Sequence, residues 1–323
     1  MKEKLRVGIV GGGGYTAGEL VRILINHPSA ELVMVHSASQ AGKYLYEVHA
    51  GLYGDTSMRF CQEVDLDGID VLFMCGAHGE SRRFWEGRSC PEGLKIIDLA
   101  QDFRDESCGY VYGLPEWRRD RISSAGKVAN PGCFATALQL ALLPLAGAGR
   151  LPEQVNIQAL TGSTGAGVKP GATTHFSWRE NNISAYKVFE HQHLVEVGRN
   201  LSIVAGRPVG DLNFVPLRGD FPRGIFAVLT MECPLNLEDI LTIYHEAYDG
   251  EPFTFVSPFP LDLKQVAGTN KCMLFLEKHG KHLVVTSVID NLLKGASGQA
   301  VQNMNIMCGL PETEGLKLKA IAF

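Results

Sequence analysis

Apolar residues gather in short blocks through the first third of this chain and in longer strand-like runs through its second half. The early blocks, Leu5–Val10, Glu31–Val35, Val71–Cys75 and Leu94–Leu99, read as strands buried on both faces, as in a parallel sheet. Helical spacing follows the first of them at Glu19–Leu24. A longer apolar run, Ala137–Leu143, comes directly after Asn130-Pro131-Gly132-Cys133-Phe134-Ala135-Thr136. Pro-Gly there predicts a turn and the run predicts a helix, which places Cys133 in the first helical turn.

The texture changes from about Val155. Asn156–Leu160, Ile225–Glu232, Met273–Glu277 and Leu283–Ile289 predict a second, mostly antiparallel sheet. Between the first two, Thr161-Gly162-Ser163-Thr164-Gly165-Ala166-Gly167 opens a segment that reads as a long loop region up to Asp211, and loops of that length are usually functional. Asp290 through Asn303 reads as a strand end, a glycine turn and a final helix, expected to pack back on the first domain. The 323 residues are enough for two domains. The expected division is one domain over 1–133, completed by about 296–323, and a second over 134–295.

Composition narrows the function classes. A formal net charge of −5 argues against a nucleic-acid or anionic-membrane surface. The longest apolar stretch, Ala137–Leu145, is too short to span a bilayer and contains Gln139. Eight cysteines without a CxxC pair read as reduced thiols of a cytoplasmic protein. No metal site is expected.

The candidate chemistry begins at Gly11-Gly12-Gly13-Gly14-Tyr15-Thr16-Ala17-Gly18. Strand, glycine-rich turn and helix open a dinucleotide-binding unit, in which a pyrophosphate rests on the helix N-terminus. NAD-binding chains usually carry an acid after the second strand. Here the chain reads His36-Ser37-Ala38-Ser39-Gln40, and hydroxyls at that point suit the 2′-phosphate of NADP. Cys133, at a helix N-terminus, is placed to be a thiolate nucleophile. His191 and His193 read as acid/base or binding groups. Arg104 is a candidate anion clamp, because a guanidinium grips phosphate or carboxylate with two hydrogen bonds.

These segments closely resemble the N-acetyl-gamma-glutamyl-phosphate reductases, the arginine-pathway branch of the semialdehyde dehydrogenase group, from Val7 to about Leu316. The resemblance rests on Gly11-x-x-Gly14-Tyr15-Thr16-Ala17-Gly18, Asp98-Leu99-Ala100-Gln101-Asp102-Phe103-Arg104, Tyr112-Gly113-Leu114-Pro115-Glu116, Asn130-Pro131-Gly132-Cys133, Ala185-Tyr186 through His193, and Asp290 through Asn303. It implies an α/β chain with a Rossmann-type domain and a glyceraldehyde-phosphate-dehydrogenase-like α+β domain. It also implies NADP-dependent reduction of an acyl phosphate with release of phosphate, through a Cys133 thioester. With it, the cofactor set becomes Gly11, Gly14, Tyr15, Thr16, Ser37, Ser39, His78, Gly165, Gly167 and Asn291. The substrate set becomes Arg104, Asn130 and Arg223. His193 is the first candidate for acid/base and His191 the second, and the order in which Arg104 and Arg223 hold phosphate and α-carboxylate is left open. The expected partners are small molecules and further copies of the chain, as dimer or tetramer.

The chain departs from the family pattern at Phe134-Ala135, Gln192, Val195 and across Asn213–Gly224. These positions bear on the far end of the substrate, so N-acetyl and N-succinyl substrates both stay open.

Overall fold

A computed structural model describes residues 3–321, which form two compact units, one of 3–131 with 296–317 and one of 132–295 with 318–321. In the first unit the chain runs β1 (Leu5–Val10), α1 (Tyr15–Leu24), β2 (Ala30–His36), α2 (Leu45–Val48), β3 (Val71–Met74), α3 (Glu80–Trp85), β4 (Lys95–Asp98), β5 (Val111–Tyr112), α4 (Pro115–Ser123) and β6 (Lys127–Ala129). The six strands lie in the order β2-β1-β3-β4-β6-β5, all parallel. Val7, Ile9, Leu72, Phe73, Ile97 and Val128 are fully buried within it. That burial explains the concentration of apolar residues in these strands, since helices cover both faces of such a sheet. The order reverses at β1, whose neighbours are β2 on one side and β3 on the other, and ligands of such sheets bind at that reversal. The helix Gly298–Met307, buried along its whole length, returns to this unit and packs on α1, α4 and β4.

The second unit begins with α5 (Cys133–Gly147) and continues through β7 (Gln154–Thr161), α6 (Phe176–Arg179), β8 (Ser184–Ala185), α7 (His193–Ala205), β9 (Asp211–Arg218), β10 (Ile225–Glu232), α8 (Leu237–Tyr248), β11 (Thr254–Val256), β12 (Cys272–His279) and β13 (His282–Ile289). Its sheet has the order β11-β12-β13-β10-β7-β9-β8. It is mostly antiparallel, with parallel pairs at β11–β12 and β7–β9. Alternate residues of β10, namely Ile225, Ala227, Leu229 and Met231, turn inward and are buried. α5 packs on β10, β12 and β13 and is flanked by α7 and α8. It is buried from Phe134 to Ala146, the position a helix apolar on every side must take.

The segment from Thr161 to Asp211, expected as a loop region, contains the 13-residue helix α7. Its buried stripe is His193, Glu196, Val197, Asn200 and Leu201. The spacing is helical, but three of the five side chains are polar, so the hydrophobic pattern is silent there. Asn200 Nδ2 donates to Gln139 Oε1 of α5 at 2.8 Å, and Gln139 Nε2 donates to the Ala135 carbonyl at 2.9 Å. Paired amides thus replace apolar contact between α7 and α5. The parallel strand β9, with Pro216 and Asn213 in it, is likewise hidden from a pattern of alternation.

Candidate active site

The glycine-rich turn of the first unit is built by close approach. Gly11 has φ +88°, and a Cβ there would stand 2.7 Å from the Cys75 carbonyl carbon and the Gly76 nitrogen. A Cβ on Gly12 would meet Val35 Cγ1 at 2.5 Å. The amides of Gly11 and Gly12 donate to the His36 carbonyl at 3.1 and 2.8 Å. Gly14 caps α1 without a side-chain acceptor, so the first amides of α1, from Tyr15 onward, have no intrahelical partner and carry the positive end of the helix dipole. These features fit a pyrophosphate. Ser37 Oγ lies 3.5 Å from Ser39 Oγ and 3.5 Å from where a Gly13 Cβ would be, so both hydroxyls stand beside the turn with no carboxylate at that point of the chain. These surroundings suit a ribose carrying a 2′-phosphate. His49, which the sequence reading did not single out, donates from Nε2 to the Gly12 carbonyl at 2.8 Å and packs its ring on Gly18. His78 is exposed and accepts the Gln101 amide on Nδ1 at 3.1 Å.

At the carboxyl ends of β4 and β6, Arg104 is buried, with Nε on the Asn130 carbonyl at 2.9 Å and Nη2 on the Leu99 carbonyl at 3.1 Å. Asn130 spends its side chain on the returning C-terminal segment: Nδ2 donates to the Ala296 carbonyl and Oδ1 accepts from Asn303 Nδ2. Asp98 is fully buried. Its Oδ1 accepts from Ser81 Oγ at 3.0 Å and from the Ala100 amide at 2.7 Å, while Oδ2 has no partner. Burial is the main cause that pushes its pKa up to about 6, against the pull of those two hydrogen bonds.

In the second unit Cys133 is the first residue of α5 and is partly exposed. Gly132 caps the helix in extended conformation, again without a side-chain acceptor, and helix geometry gives the Phe134 and Ala135 amides no intrahelical acceptor. The Gly132 amide points to Glu196 Oε2 at 3.4 Å. Phe134 gathers the imidazoles. Its ring centroid is 5.2 Å from that of His191 and 6.3 Å from that of His193, and the two imidazoles are 4.7 Å apart. His191 Nδ1 accepts the backbone amide of His193 at 3.3 Å, which fixes the neutral ring as the Nε2–H tautomer. Burial, and then the charges of Lys187 and Arg218, lower the His191 pKa to about 4, so it is neutral at physiological pH. His193 Nε2 faces Glu196 Oε1 at 4.0 Å.

Tyr186 joins the cluster from β8's end, with its ring 5.8 Å from His191 and Arg218 stacked over it at 4.5 Å. Burial, and then the proximity of the Cys133 sulfur, push its pKa up to about 12. The opposite wall of the nucleophile is backbone. A Cβ on Gly295 would stand 2.8 Å from Cys133 Cβ. Gly295 belongs to the π-helical turn Leu293–Ser297.

Arg223 is placed by the turn after β7. The amides of Ser163 and Thr164 donate to the Phe221 and Pro222 carbonyls at 2.9 and 3.1 Å. Its guanidinium forks onto Asp290, with Nε–Oδ2 at 3.0 Å and Nη2–Oδ1 at 3.3 Å. Asn291 Oδ1 accepts the Gly224 amide at 2.7 Å and its Nδ2 donates to Thr164 Oγ1 at 3.0 Å. Gly165 and Gly167 are exposed on the same turn. The second unit therefore brings His191 and His193 into one cluster on Phe134, the residue after Cys133, and Arg223 with Asn291 into another. The sequence reading missed Glu196, Tyr186, Asp290 and Gly295 as parts of these clusters. Glu196 had a signal in its spacing, three residues after His193.

Residues 6–125 match the family described as "Semialdehyde dehydrogenase, NAD binding domain", and residues 133–291 match "Semialdehyde dehydrogenase, dimerisation domain". A protein of Bacteroides thetaiotaomicron named N-acetyl-gamma-glutamyl-phosphate reductase is 54% identical over 321 residues, 99% of this chain and 100% of the relative. One of the same name from Flavobacterium johnsoniae is 50% identical over 99% of this chain and 100% of its own length. Among solved structures, aspartate semialdehyde dehydrogenase II of Vibrio cholerae, complexed with ASA, superposes with a TM-score of 0.75 at 16% identity, covering 95% of this chain and 99% of that one. Aspartate semialdehyde dehydrogenase with NADP from Candida albicans gives 0.72 at 13% identity, over 95% of this chain and 99% of that one. At such identities these two bear on the fold alone. Among the described residues no helix is long and apolar enough to cross a membrane.

Proposed function

The chain belongs to the semialdehyde dehydrogenase family, and from that premise we propose that it is a reductase of N-acetyl-γ-glutamyl phosphate. It uses NADPH and yields N-acetyl-glutamate 5-semialdehyde and phosphate in arginine biosynthesis. The observation that carries the reading is the partly exposed Cys133 at the first position of α5, with two imidazoles gathered on Phe134 beside it. The substrate follows from relatives of that name at 50–54% identity over their full length.

The Cys133 thiolate attacks the γ-carbonyl carbon. The S–C bond forms, the C–O bond to phosphorus breaks, and phosphate leaves with the electron pair. Splitting the reduction through a thioester replaces one hard step by two easier ones. The positive end of the α5 dipole favours the thiolate, and the amides at the α5 N-terminus are the donors for the tetrahedral oxyanion, an effect worth about 3 kcal/mol per well-aimed donor. Bound NADPH supplies the hydride that reduces the thioester. The oxyanion left by hydride addition takes a proton from the His193 imidazolium, and His193 recovers that proton as the C–S bond breaks and the thiolate is restored. Its neighbour Glu196 stabilises the charged imidazolium that results. His191, held neutral by burial, orients the His193 backbone and fills the apolar side of the cluster.

The glycine turn, Tyr15, Thr16, Ser37, Ser39 and His78, with Gly165, Gly167 and Asn291 of the second unit, are the residues assigned to hold NADP. Arg104, Asn130 and Arg223 are assigned to the substrate's anionic groups. The chain works in the cytoplasm as a homo-oligomer, dimer or tetramer, in line with the dimerisation domain of its family. The test runs the reaction in its convenient direction, following NADP reduction with N-acetyl-glutamate semialdehyde and phosphate, beside the N-succinyl and aspartate semialdehydes. Phosphate-dependent turnover of the N-acetyl compound well above the other two is expected. Preference for aspartate semialdehyde overturns the reading.

A further inference from the structure

One buried carboxylate touches both working parts of the second unit. Asp290 is fully buried. Its Oδ2 accepts from Arg223 Nε at 3.0 Å and from the Gly268 amide at 2.7 Å. Its Oδ1 accepts from Arg223 Nη2 at 3.3 Å and from the amides of Leu292 and Leu293 at 2.8 and 3.1 Å. An ionised carboxylate offers about four lone-pair sites, so this one is saturated and has no freedom to rotate. Its backbone carbonyl accepts the Gly295 amide at 2.9 Å. That bond closes the turn that sets Gly295 against Cys133.

The two ends of this arrangement differ in exposure. Asp290 is sealed, while the Arg223 side chain keeps 27% of its surface open. A guanidinium gripped on one edge by a buried carboxylate and partly exposed is an anion clamp whose orientation is settled before any ligand arrives. Asn291, the next residue, fixes the backbone of the same arm through the Gly224 amide. Misplacing a reacting group by about 1 Å can cost about 100-fold in rate, so whatever fixes clamp and nucleophile in one frame matters to the reaction.

We infer that Asp290 is a positioning residue of the reaction, which holds the Arg223 clamp and the Gly295 wall of Cys133 in a single register so that a substrate anion and its electrophilic carbon are placed together. The inference rests on the roles of Cys133 and Arg223 given under the proposed function.

The test compares two alkylating agents on Cys133, anionic iodoacetate and neutral iodoacetamide, by mass spectrometry. Both form an S–C bond and expel iodide, and only the anion is drawn by the clamp. In the unaltered protein the iodoacetate-to-iodoacetamide rate ratio exceeds that of a free small thiol. Arg223→Met brings it down to the free-thiol value. Asp290→Asn lowers it at least about threefold and raises KM for the semialdehyde about tenfold or more, the scale of one charge-assisted hydrogen bond, with a smaller change in kcat. General loosening of the fold changes both reagents alike and leaves the ratio where it was. A folded Asp290→Asn protein with an unchanged ratio therefore overturns the inference.

If that variant does not fold, the cycle of Arg223→Lys and Gly295→Ala carries the same question. Non-additive effects on the ratio support a shared frame, and additive ones overturn it. The two levels separate cleanly. An active reductase whose ratio ignores Arg223→Met sinks this inference alone. A chain inactive on the N-acetyl semialdehyde whose ratio answers to Asp290→Asn sinks only the substrate reading.

Discussion

The backbone amide of His193 donates to Nδ1 of His191 at 3.3 Å. The two histidines are therefore unequal. The first ring is locked in one tautomer and stays neutral to about pH 4, while the second faces a carboxylate. His193→Asn is expected to lower kcat by about 10²- to 10⁴-fold, the usual scale of general acid–base help. His191→Asn should cost less and leave the limbs of the pH–rate profile in place. A profile whose acid limb moves with His191→Asn instead would exchange their roles.

Cys133→Ser should abolish phosphate-dependent semialdehyde oxidation and leave NADPH affinity within about twofold, because a hydroxyl is not ionised at neutral pH. Fluorescence titration reads the binding, and rapid quench with mass spectrometry finds the acyl adduct on Cys133 in the unaltered enzyme. More than a few per cent of turnover left in the variant would refute the covalent route.

Asp98 makes stability depend on pH in an unusual direction. Its carboxyl has a folded-state pKa of about 6, above its unfolded value of about 4, so the folded chain binds the proton more tightly. That contribution is fully present below about pH 4 and is lost as pH rises to about 6, a difference of about 3 kcal/mol. His191, whose pKa is lowered, acts with opposite sign over much of the same range, so the comparison must be between variant and parent. Asp98→Asn keeps an acceptor for Ser81 and removes the charge on the partnerless Oδ2. It should stabilise the protein by about 1–3 kcal/mol at pH 8 and by almost nothing at pH 4. Urea denaturation at the two values decides it, and an equal effect at both would reject the account.

Cofactor choice should follow the two serines. NADPH is expected to bind at least about tenfold more tightly than NADH, as a phosphate held by hydroxyls and amides warrants. Ser39→Asp, at an exposed position beside the glycine turn, should remove most of that preference by placing like charge against the 2′-phosphate. Equal affinity for both dinucleotides in the unaltered chain would end the argument from Ser37 and Ser39.

The glycine turn and the helical position of Cys133 were legible in the residues because each depends on neighbours in the chain. Pro131-Gly132 stops the preceding strand and the apolar run after it can only be a helix. The parallel first sheet was legible for the same reason, in its short blocks rich in apolar residues. α7 was not, since His193, Glu196 and Asn200 form its buried stripe and no hydrophobic period marks them. Asp290 and Gly295 stood in a segment that carried the family resemblance, but nothing in the segment gave their roles. Their roles arise only where a turn after β13 meets Arg223 and the start of α5, contacts between residues distant along the chain.

The nucleophile stands on the first residue of the most enclosed helix in its unit, an element buried from Phe134 to Ala146 and anchored by the Tyr244 and Tyr248 hydroxyls of α8, which donate to the Ala141 and Leu140 carbonyls. Regions so enclosed exchange their amide hydrogens only through the largest openings. Heat or denaturant should then spare the thiol's setting until the entire unit gives way, so that catalytic capacity fades together with the global transition and not ahead of it.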